Sequence, residues 1–188
     1  MLKKIVVTLL MLLMAVPAFS REIAGLTIAE EVPSGSGSTL QLNGAGIRSK
    51  LIFKVYIGAL YLEEGAADSG AVLAQEGARQ MVMTFLYKEV SRAKLVTGWQ
   101  EGFAKNLTRE EHASLQERIN QFNELFVTVK KGDVINLAYE PGVGTRVLIR
   151  GEERGVVVGK EFNDALLKIW LGPEPVTAKL RDQLLGRK

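Results

Sequence analysis

The chain has 188 residues, 47% of them hydrophobic, which fits one domain with a sizeable core. It holds 24 basic and 21 acidic side chains with no block of like charge, so nothing in the charge pattern supports nucleic-acid binding. It lacks cysteine and has a single histidine, His112, which excludes disulfides, lipoprotein anchoring and the common zinc sites.

Residues 1–20 read as a secretory signal peptide. Lys3 and Lys4 give the positive start, Ile5 to Val16 the apolar run, and Ala18-Phe19-Ser20 the small residues of a cleavage site. The run is too short to span a bilayer as a helix; an uncleaved anchor is the competing reading. Cleavage removes two of the 24 basic residues and leaves 22 against 21 acidic. The domain is then residues 21–188, and the expected location is periplasmic or secreted, with no stable membrane span after cleavage.

Within that domain, Arg21–Gly25 reads as a polar lead-in and Leu26–Val32 as a first strand. Residues 33–38, Pro-Ser-Gly-Ser-Gly-Ser, are a loop. Thr39–Ile47 predicts a second strand, with Arg48-Ser49-Lys50 as the tip of a hairpin into a long strand, Leu51–Leu62. There Phe53, Val55, Ile57, Ala59 and Tyr61 alternate with Ile52, Lys54, Tyr56, Gly58, Leu60 and Leu62. Both faces are mostly apolar, which predicts a central strand covered on each side. Lys54 and Tyr56 are the polar exceptions on one face, beside the space left by Gly58.

A loop over 63–70 and a short helical turn at 71–75 precede a strand, Arg79–Tyr87. The period then changes. Ser91 is a helix N-cap, followed by Leu95, Val96, Trp99, Gly102 and Phe103 at helical spacing. A break at 106–108 leads to a capping box, Thr108 with Glu111, and a stripe of Leu115, Ile119, Phe122 and Phe126. Asp133–Glu140 and Thr145–Arg150 predict strands around a Pro-Gly turn, and residues 151–155 a tight loop before Val156–Val158. Phe162, Ala165, Leu166, Ile169 and Trp170 mark a helix stopped by Gly172-Pro173. A short helix over 176–185 closes the chain. Hairpin-linked strands with grouped helices predict an α+β fold: an antiparallel sheet with a helical layer on one face.

Little catalytic chemistry is spelled out. His112 follows Glu110 and Glu111 on a charged helix turn, the setting of a solvated residue rather than a nucleophile's base. Gly44-Ala-Gly46 lacks the third glycine and the helix of a dinucleotide loop. The paired carboxylates 63–64, 110–111 and 152–153 read as solvated or helix-dipole charges. Arg48 and Tyr56 remain. They share even parity, and a guanidinium at the rim of an apolar pocket holds a carboxylate bidentately while a tyrosine hydroxyl donates a further bond. The plainer reading is a hairpin-tip surface charge and a core tyrosine.

Gly44-Ala-Gly-Ile-Arg48, then a strand ending Ile57-Gly-Ala-Leu-Tyr-Leu-Glu63, resembles the chalcone isomerase family. That family holds plant chalcone–flavanone isomerases, plastid fatty-acid-binding proteins and bacterial chalcone-isomerase-like proteins. The resemblance runs from about Ile23 to Gly186 and implies an open-faced sandwich. It matches Arg48 to the arginine that holds an anionic substrate oxygen or a fatty-acid carboxylate. It aligns Tyr56 with a tyrosine of the fatty-acid-binding members. Val96-Thr-Gly-Trp-Gln100 resembles the start of the family's cleft helix, and residues 165–172 fit the bacterial branch.

The isomerase apparatus does not follow. Its catalytic tyrosine falls at about Glu101, its asparagine near Thr108 with Asn106 offset, and its late-helix hydroxyl at about Ile169. The resemblance therefore implies an exported, non-catalytic binder of a fatty acid or similar amphipathic carboxylate, with no catalytic residues, metal or cofactor. Its candidate ligand residues are Arg48, Tyr56, Trp99, Phe103 and Asn106. Trp99 and Phe103 fit equally well as plain core, since aromatic stripes at helical spacing usually are. The alternatives are an isomerase acting on a small enone or phenol, and a cell-envelope interaction module without a small ligand.

Overall fold

The computed structural model describes residues 20–187. The expected signal segment, apart from Ser20, lies outside the described residues. The strands are β1 (Ser20–Ile23), β2 (Leu26–Ala29), β3 (Glu31–Pro33), β4 (Thr39–Lys50), β5 (Phe53–Leu62), β6 (Arg79–Phe85), β7 (Glu89–Val90), β8 (Val129–Lys130), β9 (Val134–Glu140), β10 (Gly144–Ile149) and β11 (Glu152–Val157). The helices are α1 (Ser69–Ala74), α2 (Arg92–Asn106), α3 (Arg109–Glu124), α4 (Lys160–Leu171) and α5 (Ala178–Leu184). Among the described residues no helix is long and apolar enough to cross a membrane.

A seven-stranded antiparallel sheet runs in the order β11-β10-β9-β6-β5-β4-β3. The long apolar strand, β5, is interior, as its two apolar faces predict. Tyr56, Leu60 and Leu62 face the main core with the helices. Ile57, Ala59 and Tyr61 face a smaller core with Ile28 and Leu40. The predicted caps form: Ser91 accepts from the Lys94 amide, and Thr108 and Glu111 exchange both bonds of a capping box. Helices gather over one face, which is the predicted α+β arrangement.

Several boundaries differ from the sequence reading. The lead-in is itself β1, joined to β2 by Ala24 and Gly25 at φ 53° and 78°, so 26–32 splits into β2 and β3 with different partners. The loop before the last strand shortens to Arg150-Gly151, at φ 56° and 81°, and β11 starts at Glu152. Both pairs have the positive φ that favours tight hairpins. The tip of the β4–β5 hairpin is Leu51-Ile52, and Arg48 sits inside β4.

Two register shifts shape β4 and β5. Asn43 is left over on β4, and its amide clamps three backbone groups: the Ala66 amide and the Ala66 and Leu184 carbonyls. Val55 is left over on β5, between the pairs Arg48–Tyr56 and Ser49–Lys54. This bulge separates Lys54 from Tyr56, which strict alternation had put on one face. Gly44 and Gly46 have a packing role as well. A Cβ on Gly44 would lie 2.1 Å from the Gln183 carbonyl oxygen, and one on Gly46 2.0 Å from the Gln183 side chain. The glycine pair lets α5 lie on β4.

Arg79, almost fully buried, ties sheet to helices. Its guanidinium donates to Asn163 Oδ1 (2.6 Å), to the Val72 carbonyl (2.9 Å) and to Asp164, and stacks 5.2 Å from the Tyr139 ring centroid. Asn163 in turn donates to Thr145 Oγ1 at 3.0 Å. Arg79→Leu takes the buried donor from Asn163 Oδ1 and the Val72 carbonyl, while the partly exposed Asp164 keeps Lys160. It is expected to lower unfolding free energy by roughly 3–5 kcal/mol, read from urea denaturation. A loss below about 1 kcal/mol would show that the network is not a stabilising one.

Candidate functional site

A hollow of about 170 Å³ opens between the sheet and the helices. Its sheet wall is Arg48 of β4, Val55 and Tyr56 of β5, and Met83 and Phe85 of β6. Its helical wall runs along α2 from Lys94 to Lys105, with Ile169 of α4 and the 174–176 segment. The Val55 bulge is what turns both Val55 and Tyr56 into this hollow. Lys54 instead lines a separate depression with Ala45, Ile47 and Ser49.

Arg48 and Tyr56 are direct cross-strand partners, and the guanidinium lies 5.8 Å from the tyrosine ring centroid. Among the described residues no side-chain hydrogen bond or ion pair engages the Arg48 guanidinium. Tyr56 is buried, and its hydroxyl accepts a 2.8 Å hydrogen bond from Trp170 Nε1. Burial pushes the phenol up to about 12, an effect only partly offset by the Arg48 charge and the Trp170 bond. At neutral pH the group is therefore a phenol. Its oxygen is used as an acceptor and its proton remains to be donated.

Trp99 also lines the hollow, and its indole N–H is buried without an acceptor among the described residues. A buried donor left unpaired is uncommon and costly. The polar groups that Arg48, Tyr56 and Trp99 bring, a guanidinium, a phenol proton and an indole N–H, are all donors. The rim adds Lys94 and Lys105 against Glu101 and Glu174, so with Arg48 three cations oppose two carboxylates. Such a lining suits an anion with an apolar body. Behind it the core is closed: Trp99 packs on Phe122, Phe126 and Trp170 at centroid distances of 5.3–5.7 Å.

Three of the five residues singled out from sequence, Arg48, Tyr56 and Trp99, come together. Phe103 does not line the hollow; it is fully buried against Phe122 and Phe162. Asn106 does not either. Its amide donates to the Gly102 and Glu174 carbonyls and accepts from the Glu174 amide, pinning the end of α2 to the 172–175 segment. Sequence reasoning missed Trp170 as the partner of Tyr56, because a separation of 114 positions hides the contact. It also missed Gly98, whose absent side chain leaves the mouth open. Among the described residues no cluster of side chains is suited to hold a metal.

The raised Tyr56 pKa has a pH consequence. Below the unfolded value of about 10 both states keep the proton, and stability is unaffected. Between 10 and 12 only the unfolded chain releases it, so stability falls as pH rises, by up to about 1.4 kcal/mol per pH unit from this group. Comparing denaturation of the wild type and Tyr56→Phe across that window should show a shallower decline in the variant. Identical slopes would mean that the phenol is not shielded.

Comparison with known proteins agrees with this architecture. A family model described as chalcone isomerase-like matches residues 20–186. Among solved structures, the crystal structure of a fatty-acid binding protein from Arabidopsis thaliana superposes with a TM-score of 0.68 at 17% sequence identity, covering 89% of this chain and 96% of that one. At that identity the likeness is one of fold. The chain matches no curated protein. Sheet topology, helical layer and a family match over nearly the whole domain place the chain in the chalcone isomerase-like family.

Proposed function

We propose that this protein binds a fatty acid or a similar amphipathic carboxylate without turning it over. The observation that carries the reading is the convergence of three donors, from Arg48, Tyr56 and Trp99, on one hollow whose charged rim has one more cation than carboxylates. Among the described residues Arg48 has no counter-ion, Tyr56 holds a free phenol proton, and Trp99 buries an unpaired N–H. A carboxylate satisfies several such donors at once, and a guanidinium is well shaped to hold it. The hollow is close to the size that admits one benzene-sized guest, so it takes the headgroup and the first carbons of a tail.

Where the resemblance implied catalytic groups, Glu101 and Ile169 stand in the lining. Neither one supplies a tyrosine-held water or a hydroxyl for proton transfer in a cyclisation, which favours binding over isomerisation. The fold-related plant protein, described as a fatty-acid binding protein, is consistent with that choice. We assign the chain to the bacterial branch and to an exported location on the pattern of residues 1–20 and 165–172.

Titration calorimetry with a fatty-acid series tests the proposal. Arg48→Ala should retain the fold and weaken binding roughly tenfold to a hundredfold, the range for losing a hydrogen bond to a charged group. Gly98→Leu should fill the mouth and reduce binding while leaving α2 intact. Unchanged affinity in Arg48→Ala removes the arginine from the site. Cyclisation of a chalcone by the wild type above the buffer rate would replace binding by catalysis.

A further inference from the structure

Among the described residues seven large apolar side chains are exposed, and four of them crowd one place. Leu51 and Ile52, 91% and 87% exposed, form the β4–β5 turn. Phe53 follows at 50%, with its ring edge-on to Tyr87 at 5.6 Å, and Tyr87 is 38% exposed. Of the other three, Leu26 lies on β2, and Val143 and Val158 lie by the β9–β10 turn and just after β11. Leu51 holds φ 54°, a left-handed position that hairpins normally give to Gly or Asn. A bulky aliphatic residue in that conformation, facing water, gains nothing from packing in the isolated chain.

The charge around this tip is one-sided. Arg48, Lys50 and Lys54 flank the turn within residues 47–54, a stretch with no carboxylate, and Lys88 adjoins Tyr87. None of the four is in an ion pair among the described residues. The adjacent acid, Glu89, stands opposite Lys130 in the β7–β8 pair. A convex two-residue turn offers too little area for a stable protein interface, which needs about 800 Å² per partner. Two copies meeting tip to tip would bring like charges together.

We infer that this tip is a docking element for an anionic phospholipid surface. Leu51, Ile52 and Phe53 enter the boundary between headgroups and acyl chains, and Tyr87 sits at headgroup level. Lys50, Lys54 and Lys88 lie over the lipid phosphates, and Arg48 stays with the hollow. The placement also serves the hollow. Arg48 is three residues from the turn, and Val55, which lines the hollow, accepts hydrogen bonds from the Leu86 and Tyr87 amides. Docking holds the mouth at the depth where an amphipathic acid resides in a bilayer. The surface itself does not depend on what the hollow binds.

The test places a reporter on the tip of the full chain. Ile52→Trp is mixed with phosphatidylcholine–phosphatidylglycerol vesicles carrying brominated acyl chains, with wild type subtracting the buried Trp99 and Trp170. Residues 1–19 contain no tryptophan and add no emission of their own, and the lysine variants keep them unchanged. The expected result is blue-shifted, quenched emission on the anionic vesicles. Lys50→Glu with Lys54→Glu should weaken this partitioning roughly tenfold or more. Tip emission that vesicles leave unchanged overturns the inference, as does equal binding to pure phosphatidylcholine. Self-association by sedimentation without a lipid response also overturns it. Fatty-acid titration of Leu51→Ser/Ile52→Ser should match wild type in detergent-free buffer, which separates this outcome from the fate of the ligand-binding proposal.

Discussion

The hydrogen bond from Trp170 to Tyr56 decides more about this molecule than its size implies. It joins the centre of the sheet to α4 and satisfies two polar atoms that would otherwise be stranded in the core. It also sets the direction of chemistry at the site. With the phenol oxygen occupied as an acceptor and burial keeping the proton on, Tyr56 presents a donor. Arg48, held across from it by the strand register, presents the charge. With Trp99 these residues bring three donors to one hollow, and that convergence separates it from an ordinary packing defect.

Register errors in the strict sense make this arrangement possible. An unbroken β5 would alternate Lys54 and Tyr56 onto one face. The extra residue at Val55 reverses Lys54, brings Val55 beside Tyr56, and leaves Arg48 opposite the phenol. The extra residue at Asn43 gives the opposite end of β4 a side chain that clamps α5 and the 66 loop. Gly44 and Gly46, which sequence patterns associate with anion loops, serve here to admit α5 close to the strand. One strand pair therefore supplies the floor of the hollow, the seat of a helix and an apolar tip.

Much of the architecture was legible because it depends on local periodicity. The two apolar faces of 51–62 announced a covered central strand. Thr108 with Glu111 announced the start of a helix, and the grouping of strands and helices announced an α+β layer. These signals are short-range, and burial of an apolar face rewards the same pattern wherever it occurs. Turn positions were less legible. Leu51-Ile52 has none of the residues that mark a tight hairpin, so the sequence points to a tip three residues early, on Arg48-Ser49-Lys50.

The candidate site divides along the same line. Sequence by itself determined that one arginine precedes a strand carrying two tyrosines, of which Tyr56 shares its parity, and that a helix nearby presents Trp99 and Phe103 at core spacing. Only the tertiary structure decided which of them meet. Trp99 reaches the hollow while Phe103, four residues on, turns into the aromatic core, and Asn106 is consumed by backbone groups of the 172–175 segment. The reason is physical. Helical spacing specifies a stripe but not what faces each turn of it, and a bulge shifts side-chain facing without leaving a mark in composition.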